Sequence, residues 1–203
     1  QKLKEGDEVA QEAESQNSAW LLFFTNRCQV YKCRAGDFAD TKASVLGEYL
    51  PTVLGMEEGE TPLYMAVTAD YRGHMLFVYA NGKCARVPME SYATKQNRKK
   101  LLKAYSDKEE LSAMLSLPEP AEIAIRTTGG RLLLVGSAQI SEKATRDTQG
   151  VAVLTLKRNQ KIESVRLAEG LELAAPPRYR VRTLPAAGAL VRSEDTVEQL
   201  TLG

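Results

Sequence analysis

The chain of 203 residues is poor in the side chains that most often carry chemistry: it has one histidine, three cysteines and one tryptophan, and aromatics make up 6%. With His74 alone, no Ser/His/Asp set can be assembled, and its setting, Tyr71-Arg72-Gly73-His74 before an apolar run, is that of a turn. The cysteines are odd in number, and Cys28 and Cys33 have no companions to complete a metal site. They and Cys84 read as buried, reduced thiols, which fits a cytoplasmic protein. No run approaches the roughly 18 apolar residues of a membrane span, and the start, Gln1-Lys2-Leu3-Lys4, lacks the apolar stretch of a signal peptide. An excess of either charge is also missing: 27 basic residues face 26 acidic ones, for a net charge of +1. That balance argues against a strongly retentive DNA binder and makes the distribution of the cations the question. Asp37, Asp40, Glu57, Glu58 and Glu60 sit in loop-like segments and read as solvated acids rather than metal ligands.

What the chain has is a hairpin written three times. Leu21-Leu22-Phe23-Phe24-Thr25-Asn26-Arg27-Cys28-Gln29-Val30-Tyr31-Lys32 is followed by Leu76-Phe77-Val78-Tyr79-Ala80-Asn81-Gly82-Lys83-Cys84-Ala85-Arg86, and then by Ile123-Ala124-Ile125-Arg126-Thr127-Thr128-Gly129-Gly130-Arg131-Leu132-Leu133-Leu134. Each copy is an apolar strand, a short polar turn and a second strand. The turn positions Cys28, Gly82 and Gly130 recur about every 50 residues, a spacing typical of propeller blades and related arrays. A second hairpin follows each: Gly47, Lys100 and Gly150 lie 19, 18 and 20 residues beyond their turns. The repeat is therefore two hairpins, about four strands. Leu3 to Ala10 reads as the second half of a repeat whose first half is missing, as in a piece of a longer protein.

The expected architecture is all-β: one domain over 1–203, a propeller-like array of four-stranded blades with three complete repeats and partial terminal ones. A partial blade takes 1–15, full blades take 16–70, 71–120 and 121–167, and 168–203 supplies closing strands and a loose tail from Glu194 on. Such sheets cannot bury both faces alone, so blades must stack, with Phe23, Val78 and Ile125 between them.

These repeats resemble the C-terminal β-pinwheel in the A subunit of bacterial DNA gyrase, shared in part by the A subunit of topoisomerase IV. Leu21 to Arg27 with Val30-Tyr31-Lys32 is close to that family's first complete blade, Gly47 to Glu60 is similar to its second hairpin, and Thr148-Gln149-Gly150-Val151 matches a recurring Thr-x-Gly-Val entry. The resemblance covers residues 1 to 165. It implies a domain that binds and bends duplex DNA without sequence preference. The remainder of the gyrase-like protein, with the cleaving tyrosine, and an ATP-hydrolysing B subunit, with ATP and Mg, would supply the catalysis. The domain itself would hold no cofactor, metal or catalytic residue, have no membrane partner, and act in the bacterial cytoplasm at the nucleoid. The basic Gln-Arg-Arg-Gly-Gly-Lys/Arg-Gly box of the gyrase branch is absent, and Cys28 stands where that blade usually has glycine. Both departures lean toward a topoisomerase IV-like or divergent member.

Cations at recurring slots are the expected phosphate contacts: Arg27, Lys32 and Arg34 in the first repeat, Lys83 and Arg86 in the second, and Arg131 in the third. Lys95, Arg98, Lys99 and Lys100, then Lys143 and Arg146, lie between hairpins. The alternating Arg178, Arg180 and Arg182 serve either as a phosphate ladder or as edge protection. The alternative to DNA bending is a propeller-like protein-interaction module.

Overall fold

The computed structural model describes residues 18–38, 54–95 and 98–195. The partial repeat at 3–10, the Gly47 entry and Asp40 lie outside them. Among these residues two compact units form, one from those of 18–72 with Met89–Ser106, the other from Gly73–Pro88 with 107–195.

The three hairpins are β1 (Trp20–Thr25) with β2 (Val30–Arg34), β4 (His74–Tyr79) with β5 (Lys83–Pro88), and β8 (Glu122–Thr127) with β9 (Arg131–Gly136). Their apolar runs are nearly continuous because both faces are buried, as in WLLFFT and HMLFVY. In the second and third hairpins the turn is closed by an amide donating three residues back, Gly82 to Tyr79 and Gly130 to Thr127. Cys28, Gly82 and Gly130 all lie in the left-handed region, at φ 56°, 86° and 76°. This fits the three-residue loop in which a type I turn precedes a left-handed residue. A short 3-10 turn follows each hairpin, at Ala35–Phe38, Met89–Tyr92 and Ser137–Gln139.

Each hairpin gains a returning strand beside its first arm: β3 (Pro62–Thr68), β7 (Leu111–Leu117) and β11 (Ile162–Leu167). The pairing slips at one place in all three, opposite Phe24/Thr25, Val78/Tyr79 and Arg126/Thr127. The fourth strand, beside the second arm, has two residues: β6 (Lys100–Leu101) on β2, β10 (Val151–Ala152) on β5, and β12 (Ala189–Leu190) on β9. The sheet orders are β3-β1-β2-β6, β7-β4-β5-β10 and β11-β8-β9-β12.

The expected second hairpin is therefore split. Val151–Ala152 pairs with the second sheet while Ile162–Leu167 pairs with the third; Lys100–Leu101 and Leu111–Leu117 divide likewise between the first and second. Each sheet is completed by a strand borrowed from chain further on. Close backbone approach makes this possible. At Gly150, φ +79°, a Cβ would lie 2.1 Å from the Cys84 carbonyl oxygen, and at Gly82 one would lie 2.0 Å from that of Leu154. Val153 and Leu154 both donate their amides to the Gly82 carbonyl.

Within the second unit, Leu76, Val78, Cys84 and Leu117 of one sheet pack with Ile123, Ile125, Leu133 and Val135 of the next, around Val153 and Leu154. Each fully buried aliphatic of this kind contributes about 1.5–3 kcal/mol. The far face of the third sheet, with Ala124, Leu132 and Leu134, is covered by the tail through Tyr179, Leu171, Leu173 and Val191. Asp195, inside the stretch expected to be loose, is buried. It accepts hydrogen bonds from the Tyr179 hydroxyl and, at 2.7 Å, from the Ala174 amide. In the first unit Phe23, Tyr31 and Cys33 cluster with Leu21, Leu54 and Met56. Phe24 meets Tyr92 edge to face at 5.3 Å.

Cys33 and Cys84 are buried free thiols, both pushed up to about 12 by burial, whereas Cys28 is only half-buried in its turn. No group of described residues could hold a metal ion, and no described helix is long and apolar enough to cross a membrane. Two substitutions test the backbone reading in denaturant titrations. Gly150→Ala should destabilise the second unit by at least about 2 kcal/mol, from strain and from the lost approach to Cys84. Cys28→Gly should stabilise the first by about 1 kcal/mol, since the left-handed conformation no longer opposes a Cβ.

Candidate nucleic-acid interface

The cations expected to meet phosphate fall into distinct settings. Along 91–106 the sequence has Lys95, Arg98, Lys99, Lys100 and Lys103 and no acid. Lys95, Arg98, Lys99 and Lys103 are exposed. Lys100 is half-buried over the Tyr31 ring, with its ammonium 3.9 Å from Glu57. The run is held against the first hairpin because the Lys32 amide donates to the Lys99 carbonyl and β6 pairs with β2 at Tyr31 and Val30. Arg34 is exposed at the end of β2, so Arg34, Lys99 and Lys100 gather along one edge of the first sheet. Arg27 lies at the opposite end of the hairpin, donating to the Glu58 carbonyl at 3.3 Å.

Lys32 has a different place from the one expected of a surface cation. It is 1% exposed, and its ammonium lies 5.0 Å from the Trp20 ring, 4.8 Å from the Tyr71 ring and 3.1 Å from the Thr94 hydroxyl. Burial, and then the neighbouring Arg34, hold it below the usual lysine range.

In the second unit the expected cations are more tightly occupied. Arg86 donates to the Ile140 carbonyl at 2.7 Å and approaches His74, which itself contacts Glu142 at 3.0 Å. Lys143 is exposed beside it, its amide on the Arg86 carbonyl. Arg131 donates to the Gly188 carbonyl at 2.8 Å; Lys83 and Arg146 are half-buried. Arg178, Arg180 and Arg182 are exposed, but Arg178 lies in a 3-10 turn, and Arg180 pairs with Glu122 at 2.9 Å. The sequence does not reveal that Trp20 and Tyr71 lie close to Lys32, because that closeness depends on contacts between residues far apart in the chain.

One acid is likewise misplaced by the sequence reading. Glu60 is 3% exposed rather than solvated, and accepts from the Thr25 and Tyr31 hydroxyls, each at 2.6 Å, and from the Glu57 amide at 3.0 Å. Burial alone would raise its pKa. The three hydrogen bonds and Lys100 outweigh that and hold the carboxyl below its ordinary value.

No family model matches the chain. Over 93 residues, 45% of the chain, it is 31% identical to the A subunit of DNA gyrase from Streptomyces coelicolor, the match spanning 11% of that protein. Over 158 residues, 76% of the chain, it is 23% identical to the A subunit of DNA topoisomerase 4 from Staphylococcus aureus, spanning 20% of it. Among solved structures, the C-terminal domain of DNA topoisomerase IV matches with a TM-score of 0.62 and 21% identity, over 76% of this chain and 49% of that one. The DNA gyrase A C-terminal domain matches at 0.53 and 17%, over 75% and 49%. The chain thus spans about half of those domains and a fifth or less of the curated relatives. The resemblance read from the repeats holds in both comparisons: the relatives are the A subunits of gyrase and topoisomerase IV, and the fold is that of their β-pinwheel C-terminal domains.

Glu60 makes the first unit acid-sensitive. A carboxyl depressed in the fold binds more protons once unfolded, so its contribution is complete above about pH 4.3 and is lost as pH falls through the depressed value. Glu60→Gln should flatten the pH dependence of unfolding below that point and cost about 1–3 kcal/mol at neutral pH, checked by urea titrations from acid to neutral.

Proposed function

We propose that this chain is a DNA-binding domain from the A subunit of a bacterial type IIA topoisomerase, which holds and bends duplex through backbone phosphates. The observation that carries the reading is the acid-free basic run at 91–106, fixed along one edge of the first sheet beside Arg34, in a fold shared with gyrase and topoisomerase IV C-terminal domains. Bending a site of 20–30 bp by 40–90° costs roughly 1–6 kcal/mol, which several phosphate contacts must offset. Lys95, Arg98, Lys99, Lys100 and Arg34 form the leading set; Arg27, Lys83, Arg86, Arg131, Lys143 and Arg146 extend it. Lys32, being buried, acts from behind the surface.

Strand cleavage, ATP and Mg belong, in this reading, to the remainder of the topoisomerase and to its ATP-hydrolysing B subunit, and the domain works in the cytoplasm at the nucleoid. A second reading, a protein-interaction module, has its own observation. Leu63, Met65 and Val67 alternate along the edge strand β3 at 53%, 48% and 56% exposure.

Salt dependence separates the two. On a duplex of about 40 bp between about 50 and 300 mM salt, affinity should fall steeply, by roughly 0.9 log units per log unit of salt for each phosphate engaged. Replacing Arg98, Lys99 and Lys100 together by glutamine should reduce that slope by up to about 2.7. A weak, salt-insensitive interaction would favour the protein-interaction reading.

A further inference from the structure

The edge of the first sheet carries features that do not serve stability. Lys32 is buried, and among the described residues no carboxylate lies within ion-pair reach of it. A buried cation without a counter-charge is a burden on the fold. Tyr71, whose ring covers it, sits at φ 56°, a left-handed conformation rarely adopted by an aromatic residue. The Tyr71 hydroxyl is buried without a hydrogen-bond partner among the described residues. Costs gathered at one point are what a binding site accumulates when the surrounding fold imposes them.

What they frame is Arg34. Its guanidinium lies 3.8 Å from the centroid of the Trp20 ring, and Nη1 donates to the Ser18 carbonyl at 2.5 Å. Lys32 and Arg34 alternate along β2, and Trp20 is the cross-strand partner of Arg34. The indole is thus contacted by two cations, one buried and one exposed. Among the described residues the Asp37 carboxylate accepts from the Arg34 backbone amide, at 3.2 Å, and not from its guanidinium. Nε and Nη2 of Arg34 have no partner among the described residues and lie on an exposed side chain beside Lys99.

From this arrangement we propose that Trp20, Lys32, Arg34 and Tyr71 form a preorganised phosphate site, in which Arg34 contacts the anion and Trp20, Lys32 and Tyr71 are positioning residues. The proposal deepens the DNA-binding reading and rests on it for the source of the phosphate. A guanidinium laid on an indole and tied at one nitrogen loses little freedom on binding, and its remaining donors suit phosphate oxygens. The Lys32 charge behind the ring is poorly screened by solvent and adds to the potential at Arg34. The ligand is a phosphate oxyanion, whether of a duplex backbone or free.

Trp20 is the only tryptophan, so its emission reports on the site. Adding a duplex of about 40 bp at about 50 mM salt should change that emission, and Arg34→Gln should abolish the change and lower the salt slope by about 0.9. Lys32→Met should weaken duplex binding about threefold while leaving the melting temperature unchanged or higher, since an unpaired buried charge is removed. In the Arg34→Gln background the same change should alter affinity less than about twofold, because a positioning residue acts only through the group it positions. A lowered melting temperature with unchanged duplex affinity in Lys32→Met would overturn the proposal, leaving the cluster a packing device. Duplex binding with no change in Trp20 emission and an unchanged slope in Arg34→Gln would also overturn it, while the DNA-binding reading stood. If no duplex binds, that reading fails and inorganic phosphate decides the site. A change in Trp20 emission at about 10 mM phosphate, absent in Arg34→Gln, supports a free-phosphate site; no change removes it.

Discussion

The borrowed outer strand is the contact on which the repeats depend. Only two residues pair at each place, yet that pairing covers the otherwise open edge of the hairpin's second arm. In the second unit it also ties successive sheets, because the chain leaves β9, pairs with β5 as β10, and returns to the third sheet as β11. Val153 and Leu154, just after the borrowed strand, sit in the core shared by the two sheets. Pairing and packing are therefore one event, and glycine at 150 and 82 lets the backbones meet.

Two tyrosine–carboxylate contacts finish the structure where repetition stops. In the first unit Glu60 takes the Thr25 and Tyr31 hydroxyls, joining both arms of the first hairpin to the loop before β3. In the second, Asp195 takes the Tyr179 hydroxyl, which also accepts the Arg192 amide, and so closes the tail over the third sheet. Hydrogen bonds from Tyr179 and Ala174 hold the Asp195 carboxyl below the usual range against the effect of burial. Buried carboxylates are tolerated here because donors surround them.

The hairpins were legible because each bears two independent signals, an apolar run and a turn position, and the structure sets Cys28, Gly82 and Gly130 at the same left-handed point. The division of the second hairpin was not. Val151 to Leu156 and Ile162 to Val165 look like neighbouring arms, and the local pattern does not show that the first arm pairs with an earlier sheet. The Thr-x-Gly-Val entry did hold a trace of it, since Gly150 is where the chain crosses close to Cys84. For the candidate interface, the acid-free run could be read directly, whereas the burial of Lys32 and Glu60 depends on partners 39 and 35 residues away, Tyr71 and Thr25.

The same corner of each sheet, compared across the repeats, suggests why cations equivalent in sequence need not be equivalent in use. The position opening the first arm is Trp20, His74 or Glu122, and two residues before its cross-strand partner on the second arm stands Lys32, Arg86 or Leu134. The passing chain then adds Lys99, Glu142 or Arg180. In the third sheet the corner is a neutral pair, Glu122 with Arg180. In the second, Glu142 stands by His74 and Arg86. Only in the first do an aromatic ring and cations meet with no acid from these three positions. Salt bridges at exposed corners contribute little to stability but neutralise the field that phosphate would feel. A scaffold repeated three times thus leaves these corner slots free of acid in one copy, while the others use the same slots to hold themselves together.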